Sequence, residues 1–232
     1  MRTLIYGMQS SGASLFTCFL AQTPDSVAVV DLWIPFLAPP LRLDLPVFLK
    51  ATISCEISFE DQCRSFNPDR RILFLRNPCD TYQSLSAKKY RDVCGKSIEK
   101  LRILDRLFRE RKELFDLVIT YEDLIRDPAG VLATLQTNGF ALPEESLKFP
   151  RGPQQIVRFA MDNSDWCRQN YREQWAFGNM HLLNWGALQN ITSSPMPDDT
   201  RSLVSAACPH VAVHYDLLPL SSQSVSNSGR SE

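Results

Sequence analysis

Short, uninterrupted apolar runs alternate along this chain with longer stretches in which apolar positions recur every three or four residues. Thr3-Leu4-Ile5-Tyr6 is a β-rich run that stops at Gly7, and Leu15, Phe16, Phe19 and Leu20 then fall at helical spacing, which predicts strand, loop and helix in that order. Further strands are predicted at Val27–Val30, Val47–Leu49, Arg71–Leu75 and Asp116–Thr120; the run Ile72-Leu73-Phe74-Leu75 has the character of a strand buried on both faces. Asn77-Pro78 opens a helix, with Asn as N-cap, Pro in the first turn and Asp80 positioned to complete a capping arrangement. From Ser97 to Leu114 the residues Leu101, Leu104, Leu107, Phe108 and Leu114 form one stripe among charges and predict an amphipathic surface helix with a solvated basic face. Asp127-Pro128 starts another helix, which Gly139 terminates. Beyond Pro143 the pattern predicts an aromatic-rich helix over Asp165 to Phe177 and a short one over Thr200 to Ala207.

Strands that alternate with helices imply a parallel sheet covered on both faces, a three-layer α/β/α architecture with a central parallel sheet. No internal repeat or second boundary interrupts the pattern, so residues 1–219 are expected to form one domain and the Ser-rich residues 220–232 a disordered tail.

A length of 232 residues suffices for a full core, and 44% apolar with 22% charged residues is the composition of an ordinary globular domain. The net charge of -1 excludes the global cationic field that general nucleic-acid or anionic-membrane binders use, so any anion site must be local. Seven cysteines without a C-x-x-C pair suggest neither a disulfide framework nor a zinc ribbon and fit small buried hydrophobes in a reducing compartment. The most apolar stretch, Val27 to Leu41, contains Asp31, Pro35, Pro39 and Pro40 and is too short to span a membrane. Gly7 to Gly12 interrupts what would otherwise begin like a signal peptide, and a cytoplasmic location is expected.

Gly7-Met8-Gln9-Ser10-Ser11-Gly12-Ala13-Ser14 fits the phosphate-loop pattern G-x-x-x-x-G-K-[ST], except that Ala13 stands in place of the lysine. Backbone N–H groups and a helix N-terminus can still hold an anion there, but the cation that serves β- and γ-phosphates is missing and Ser14 is weakened as a Mg²⁺ ligand. The second motif, Arg76-Asn77-Pro78-Cys79-Asp80-Thr81-Tyr82-Gln83-Ser84, follows the buried strand; a guanidinium at the strand end and a hydroxyl about two turns into the helix suit a phosphate.

These motifs together resemble the sulfotransferase family that uses PAPS (adenosine 3'-phosphate 5'-phosphosulfate). In that family a Ser-Gly-x-[ST] loop after the first strand binds the 5'-phosphosulfate, and R-x-P-x-D-x-x-x-S after a later strand binds the 3'-phosphate. Tyr121-Glu122-Asp123-Leu124, followed by Asp127-Pro128, resembles the family's Y-E-D-L segment and is read as structural. The resemblance covers roughly residues 3 to 139. It implies a P-loop-like nucleotide-binding fold and sulfuryl transfer to a hydroxyl or amine of a small molecule. The nucleotide residues it implies are Ser10, Ser11, Gly12, Ala13, Ser14, Arg76 and Ser84, with Arg151 and Gly152 faintly matching a late Arg-Lys-Gly loop from which Pro153 and the absent lysine depart. Leu49-Lys50-Ala51-Thr52 resembles the family strand ending Lys-Thr-His, so Lys50 matches the lysine that neutralises the departing phosphate, and Thr52 stands where the histidine base would be. Ser10 occupies a place that is often basic in the family.

Threonine cannot act as the base, so carboxylates are the candidates: Asp31, which could equally cap the next helix, and then Glu56. Trp33, Phe36, Trp166, Tyr171 and Trp175 could line an acceptor pocket or simply pack a core. His181, His210 and His214 show no metal-ligand spacing, and the scheme needs no metal. Two other readings share these features: a P-loop small-molecule kinase, and a non-catalytic nucleotide-binding descendant of the fold. The acceptor's identity and the oligomeric state are not encoded in any recognisable motif.

Overall fold

A computed structural model of the chain describes residues 1–30, 37–87, 96–170 and 195–217. Among these, five parallel strands, β1 (Arg2–Gly7), β2 (Val27–Val29), β3 (Val47–Thr52), β4 (Arg70–Leu75) and β5 (Leu117–Thr120), form one sheet in the order β2-β3-β1-β4-β5. The chain leaves β1 toward β2 on one side, then crosses after β3 to β4 and β5 on the other. The winding reverses at β1, and the crevice beside it at the strands' C-terminal ends is where open α/β sheets bind ligands.

Helices cover both faces because neighbouring residues on a strand point oppositely. Gly7 of β1 pairs with Phe74 of β4, and Phe74 stacks at 4.9 Å on Phe16 of α1 (Ala13–Leu20). One position back, Tyr6 meets Phe59 of α2 (Phe59–Phe66) at 5.1 Å on the other face. Helix α1 is buried at seven of its eight residues, and Thr17 satisfies its hydroxyl by donating to the Ala13 carbonyl at 2.8 Å. Ile72, Leu73, Phe74 and Leu75 are buried as expected of a central strand.

Helix α3 (Pro78–Ser86) starts where Asn77-Pro78 predicts, with the Asn77 side chain accepting from the Cys79 N–H at 3.0 Å. The single helix expected from Ser97 to Leu114 is instead α4 (Ser97–Arg109) and a short α5 (Arg111–Leu114). Arg111 turns back to donate to the Phe108 carbonyl at 2.7 Å and lays its guanidinium over the Phe108 ring, satisfying an end carbonyl that continuation would have used. Helix α6 (Tyr121–Arg126) is capped by Thr120, and α7 (Pro128–Thr137) by Asp127, whose carboxylate accepts from Gly130 N–H at 2.9 Å. A 3-10 turn, Glu144–Lys148, leads to α8 (Pro153–Asn163), which packs on β2, and to α9 (Asp165–Asn170). Helices α10 (Asp198–Ala207) and α11 (Pro209–His214) pack against α4, and α10 also against α3. No helix among the described residues is long and apolar enough to cross a membrane.

Candidate active site

The loop between β1 and α1 turns in a space that excludes a side chain. A Cβ on Gly7 would stand 2.6 Å from the Phe74 carbonyl oxygen. Gly12 has φ of 91° and faces the Tyr121 ring, which a Cβ there would meet at 2.5 Å. Ser10 also adopts a left-handed conformation, with φ of 64°. Left-handed residues in such a turn direct backbone N–H groups toward one concavity, the arrangement that receives anions. No side chain caps the first turn of α1, and the Ser11 hydroxyl is buried with no hydrogen-bond partner among the described residues. An uncapped helix N-terminus beside an orphaned buried hydroxyl fits a phosphate-type anion.

Lys50 enters from β3. It pairs in register with Ile5, is 7% exposed, and brings Nζ to 3.0 Å from the Ser14 hydroxyl oxygen. An ammonium from the neighbouring strand thus stands beside the loop that lacks its own lysine. Thr52, two residues further on and so on the same face, lies buried at the strand end.

Arg76 follows β4, and its Nη1 donates to the Ser10 carbonyl at 2.9 Å, tying the second motif to the first across the sheet's switch point. Its guanidinium lies 4.7 Å from the centre of the Tyr121 ring, while Nε is buried without a hydrogen-bond partner. The Tyr121 ring thus floors both Gly12 and Arg76. Burial pushes its phenol above the ordinary range. Glu122 accepts from the Asn77 N–H at 2.9 Å and from the Tyr215 hydroxyl at 2.9 Å, so the backbone just past Arg76 is tied to the chain's C-terminal region. Burial and the adjacent Glu122 carboxylate raise the Tyr215 phenol as well, which keeps it a donor.

Ser84 lies on α3 one turn beyond Asp80. Asp80 is not needed for the cap, which Asn77 supplies. Its carboxyl is half-buried, and burial raises its pKa against the opposing pull of Arg76. It lines a cavity of about 340 Å³ between α3 and α10, together with Asn77, Gln83, Met196, Arg201 and Leu217.

The structure does not bring Arg151 and Gly152 to this edge, which corrects the reading that placed them with the nucleotide residues. Arg151 Nη1 donates to the carbonyls of Ala21 (2.8 Å), Thr23 and Ser26 (3.2 Å), and its backbone exchanges hydrogen bonds with the Gln22 side chain. Those carbonyls follow the C-terminal end of α1, about 12 Å along the helix from the anion loop. Arg151→Met is expected to lower unfolding stability by about 2–3 kcal/mol, the scale of a lost charge-assisted donor, and to leave nucleotide affinity unchanged. Denaturant unfolding beside calorimetric titration checks both halves.

Glu56 pairs with Lys96 at 3.6 Å and is one-third exposed. Asp31, Trp33, Phe36, Tyr171, Trp175, His181 and the tail lie outside the described residues. His210 is held by Asp105, whose carboxylate accepts from the His210 and Val211 N–H groups and meets Nδ1 at 2.8 Å, a tie between α4 and α11. His214 packs on Phe108 and Tyr215. No group of metal-ligating side chains occurs among the described residues.

The sequence matches no protein-family model and no curated protein. Solved structures do match it in fold. The mouse sulfotransferase SULT7A1 complexed with PAP superposes with a TM-score of 0.50 at 14% identity, over 93% of this chain and 86% of that one. The sulfotransferase domain of the Synechococcus PCC 7002 olefin synthase gives 0.50 at 15% identity, over 89% and 94%. This chain has the sulfotransferase fold, an α/β architecture with an all-parallel central sheet, as the ordered motifs implied.

Proposed function

We propose that this protein is a sulfotransferase that moves a sulfuryl group from PAPS to a hydroxyl or amine of a small-molecule acceptor. The observation that carries the reading is the convergence of Lys50 Nζ on Ser14 and of Arg76 on Ser10 around one uncapped helix N-terminus. The donor supplies an activated sulfuryl group on a phosphate leaving group. The chain's own part is to hold and neutralise charge. Backbone N–H groups from Ser10 to Ser14, with Ser11, Gly12 and Ala13 between them, bind the 5' end. Arg76 and Ser84 bind the 3'-phosphate, and Lys50 offsets the charge that gathers on the leaving phosphate. Asp31 or Glu56 takes the acceptor's proton in this reading, and Glu56 would have to part from Lys96 to do so. A reducing, cytoplasmic setting accords with free thiols at the described cysteines.

The test compares ligands on the full chain. Adenosine 3',5'-bisphosphate should raise the melting temperature more than AMP at equal concentration, because native-state binding adds RT ln(1 + [L]/Kd) and only the bisphosphate offers a 3'-phosphate. Turnover of labelled PAPS should persist in EDTA. Equal shifts from the two nucleotides would remove the 3'-phosphate role from Arg76 and Ser84, and stabilisation by ATP with Mg²⁺ in place of the bisphosphate would overturn the reading and favour a kinase.

A further inference from the structure

We propose that Tyr215, which follows α11, is a positioning residue that acts on Arg76 through Glu122; the proposal rests on the nucleotide reading above. The Tyr215 hydroxyl holds the Glu122 carboxylate off the guanidinium, which so stays open to an anion. Glu122 is 8% exposed, and both of its carboxylate oxygens are engaged. Oε1 accepts from the Asn77 N–H at 2.9 Å, in the peptide unit that follows Arg76, and Oε2 accepts from the Tyr215 hydroxyl at 2.9 Å. Arg76 donates through Nη1 to the Ser10 carbonyl and forms no ion pair with a described carboxylate. Its Nε is buried with no hydrogen-bond partner among the described residues.

A carboxylate oxygen and a guanidinium N–H are complementary, and the charge-assisted bond between them is stronger than one to a neutral partner. Without the Tyr215 hydroxyl, Oε2 of Glu122 would be left unsatisfied in the same buried cluster as the unsatisfied Arg76 Nε. Turning Oε2 toward Arg76 would relieve both costs, and a ligand phosphate would then have to displace an internal carboxylate. The Arg76 charge already reaches the Tyr215 phenol, where it opposes the rise that burial and Glu122 cause. That rise keeps the phenol protonated, so it remains a donor. The backbone around Tyr215 is fixed in turn. Asp105 of α4 accepts from the His210 and Val211 N–H groups at 2.7 and 3.1 Å. The Tyr215 N–H donates to the Val211 carbonyl at 3.2 Å, and the Leu217 N–H returns to the Ala212 carbonyl at 2.8 Å. The hydroxyl is therefore presented to Glu122 by a segment anchored on α4, with little ordering left to be done when a ligand arrives.

The experiment is calorimetric titration of the full chain with adenosine 3',5'-bisphosphate and with AMP, in wild type, Tyr215→Phe, Glu122→Gln and the double variant. Tyr215→Phe keeps the ring that packs on His214 and removes only the hydroxyl, and thermal unfolding verifies that each variant is folded. Tyr215→Phe should bind the bisphosphate about 3- to 10-fold more weakly, the range for one hydrogen bond, with AMP affinity unchanged within about 2-fold. In the Glu122→Gln background the same change should move bisphosphate affinity by less than about 2-fold, because a neutral amide does not compete for a guanidinium as a carboxylate does. Asp80, whose carboxyl also feels Arg76, is common to every variant and cancels in the comparison. A tyrosine that only braced the fold would lower the melting temperature in both backgrounds and leave the ratio of the two affinities alone. An unchanged ratio in Tyr215→Phe, or an equal loss with Glu122 and with Glu122→Gln, overturns the role of Tyr215 and leaves the nucleotide reading in place. A wild-type chain that binds both nucleotides equally removes the 3'-phosphate from Arg76 and overturns the proposal with it.

Discussion

Arg76→Ala is expected to weaken adenosine 3',5'-bisphosphate binding by about 2–4 kcal/mol, the range for removing a charged partner from a desolvated contact. The size follows from how completely the guanidinium is held. Nη1 is fixed by the Ser10 carbonyl at 2.9 Å, the plane lies near the Tyr121 ring, and Nε is buried with its hydrogen unmatched. An arginine held in this way has lost its rotamer freedom before a ligand arrives, so little further ordering cost offsets the contact. Part of the loss should also appear with AMP, because the Ser10 carbonyl that orders the anion loop loses its donor. The diagnostic is therefore the ratio of the two affinities, measured by titration of wild type and variant. It should collapse toward one. Arg76→Lys should recover little, since one ammonium cannot reach both Ser10 and a phosphate in the geometry of a fork. A ratio preserved in Arg76→Ala would remove Arg76 from the 3'-phosphate and leave it as a loop anchor.

The parts of this molecule that could be read from its sequence are those whose causes are local. A β-rich run ending at Gly7, an apolar run ending at Arg76 and the Asn77-Pro78 cap each predicted an element that the structure contains, because strand burial and capping depend on neighbours in the chain. The residues misread depend on contacts across many positions. Arg151 resembled a phosphate ligand by order along the chain, yet its acceptors are carbonyls at residues 21 to 26, and no periodicity announces a bond over that separation. The partners of Tyr121 and Glu122, in a segment read as structural from its resemblance, are equally absent from the pattern along the chain. The work of these two residues on Gly12, Arg76 and Asn77 appears once β5 is placed beside β4. The break between α4 and α5 was hidden for the same reason: the apolar stripe continues through Leu114, while the Arg111 side chain that ends the helix is invisible to a pattern of apolar positions.

The larger catalytic effect is expected at Lys50. Lys50→Met should lower kcat roughly 10²- to 10³-fold, the scale seen when one preorganised stabiliser of developing charge is removed. At 7% exposure Lys50 has few water molecules to screen its charge, and its ammonium donates to the Ser14 hydroxyl, a neutral group, at 3.0 Å. Two unit charges about 4 Å apart at an effective dielectric near 20 interact by about 4 kcal/mol, so charge that gathers on a phosphate in the loop would be worth far more to this ammonium than Ser14 is. The gain rises as the bond to the leaving group breaks, so kcat should fall more than nucleotide affinity. Methionine keeps the length and the packing between β3 and α1, which separates the charge from its volume. Single-turnover rates and bisphosphate titration on the same preparation make the comparison. A variant whose affinity falls as far as its rate would make Lys50 a binding residue only. One that keeps its rate would show that a cation from outside the loop and β3 neutralises the leaving group, and would return the missing lysine at Ala13 as the central question for this fold.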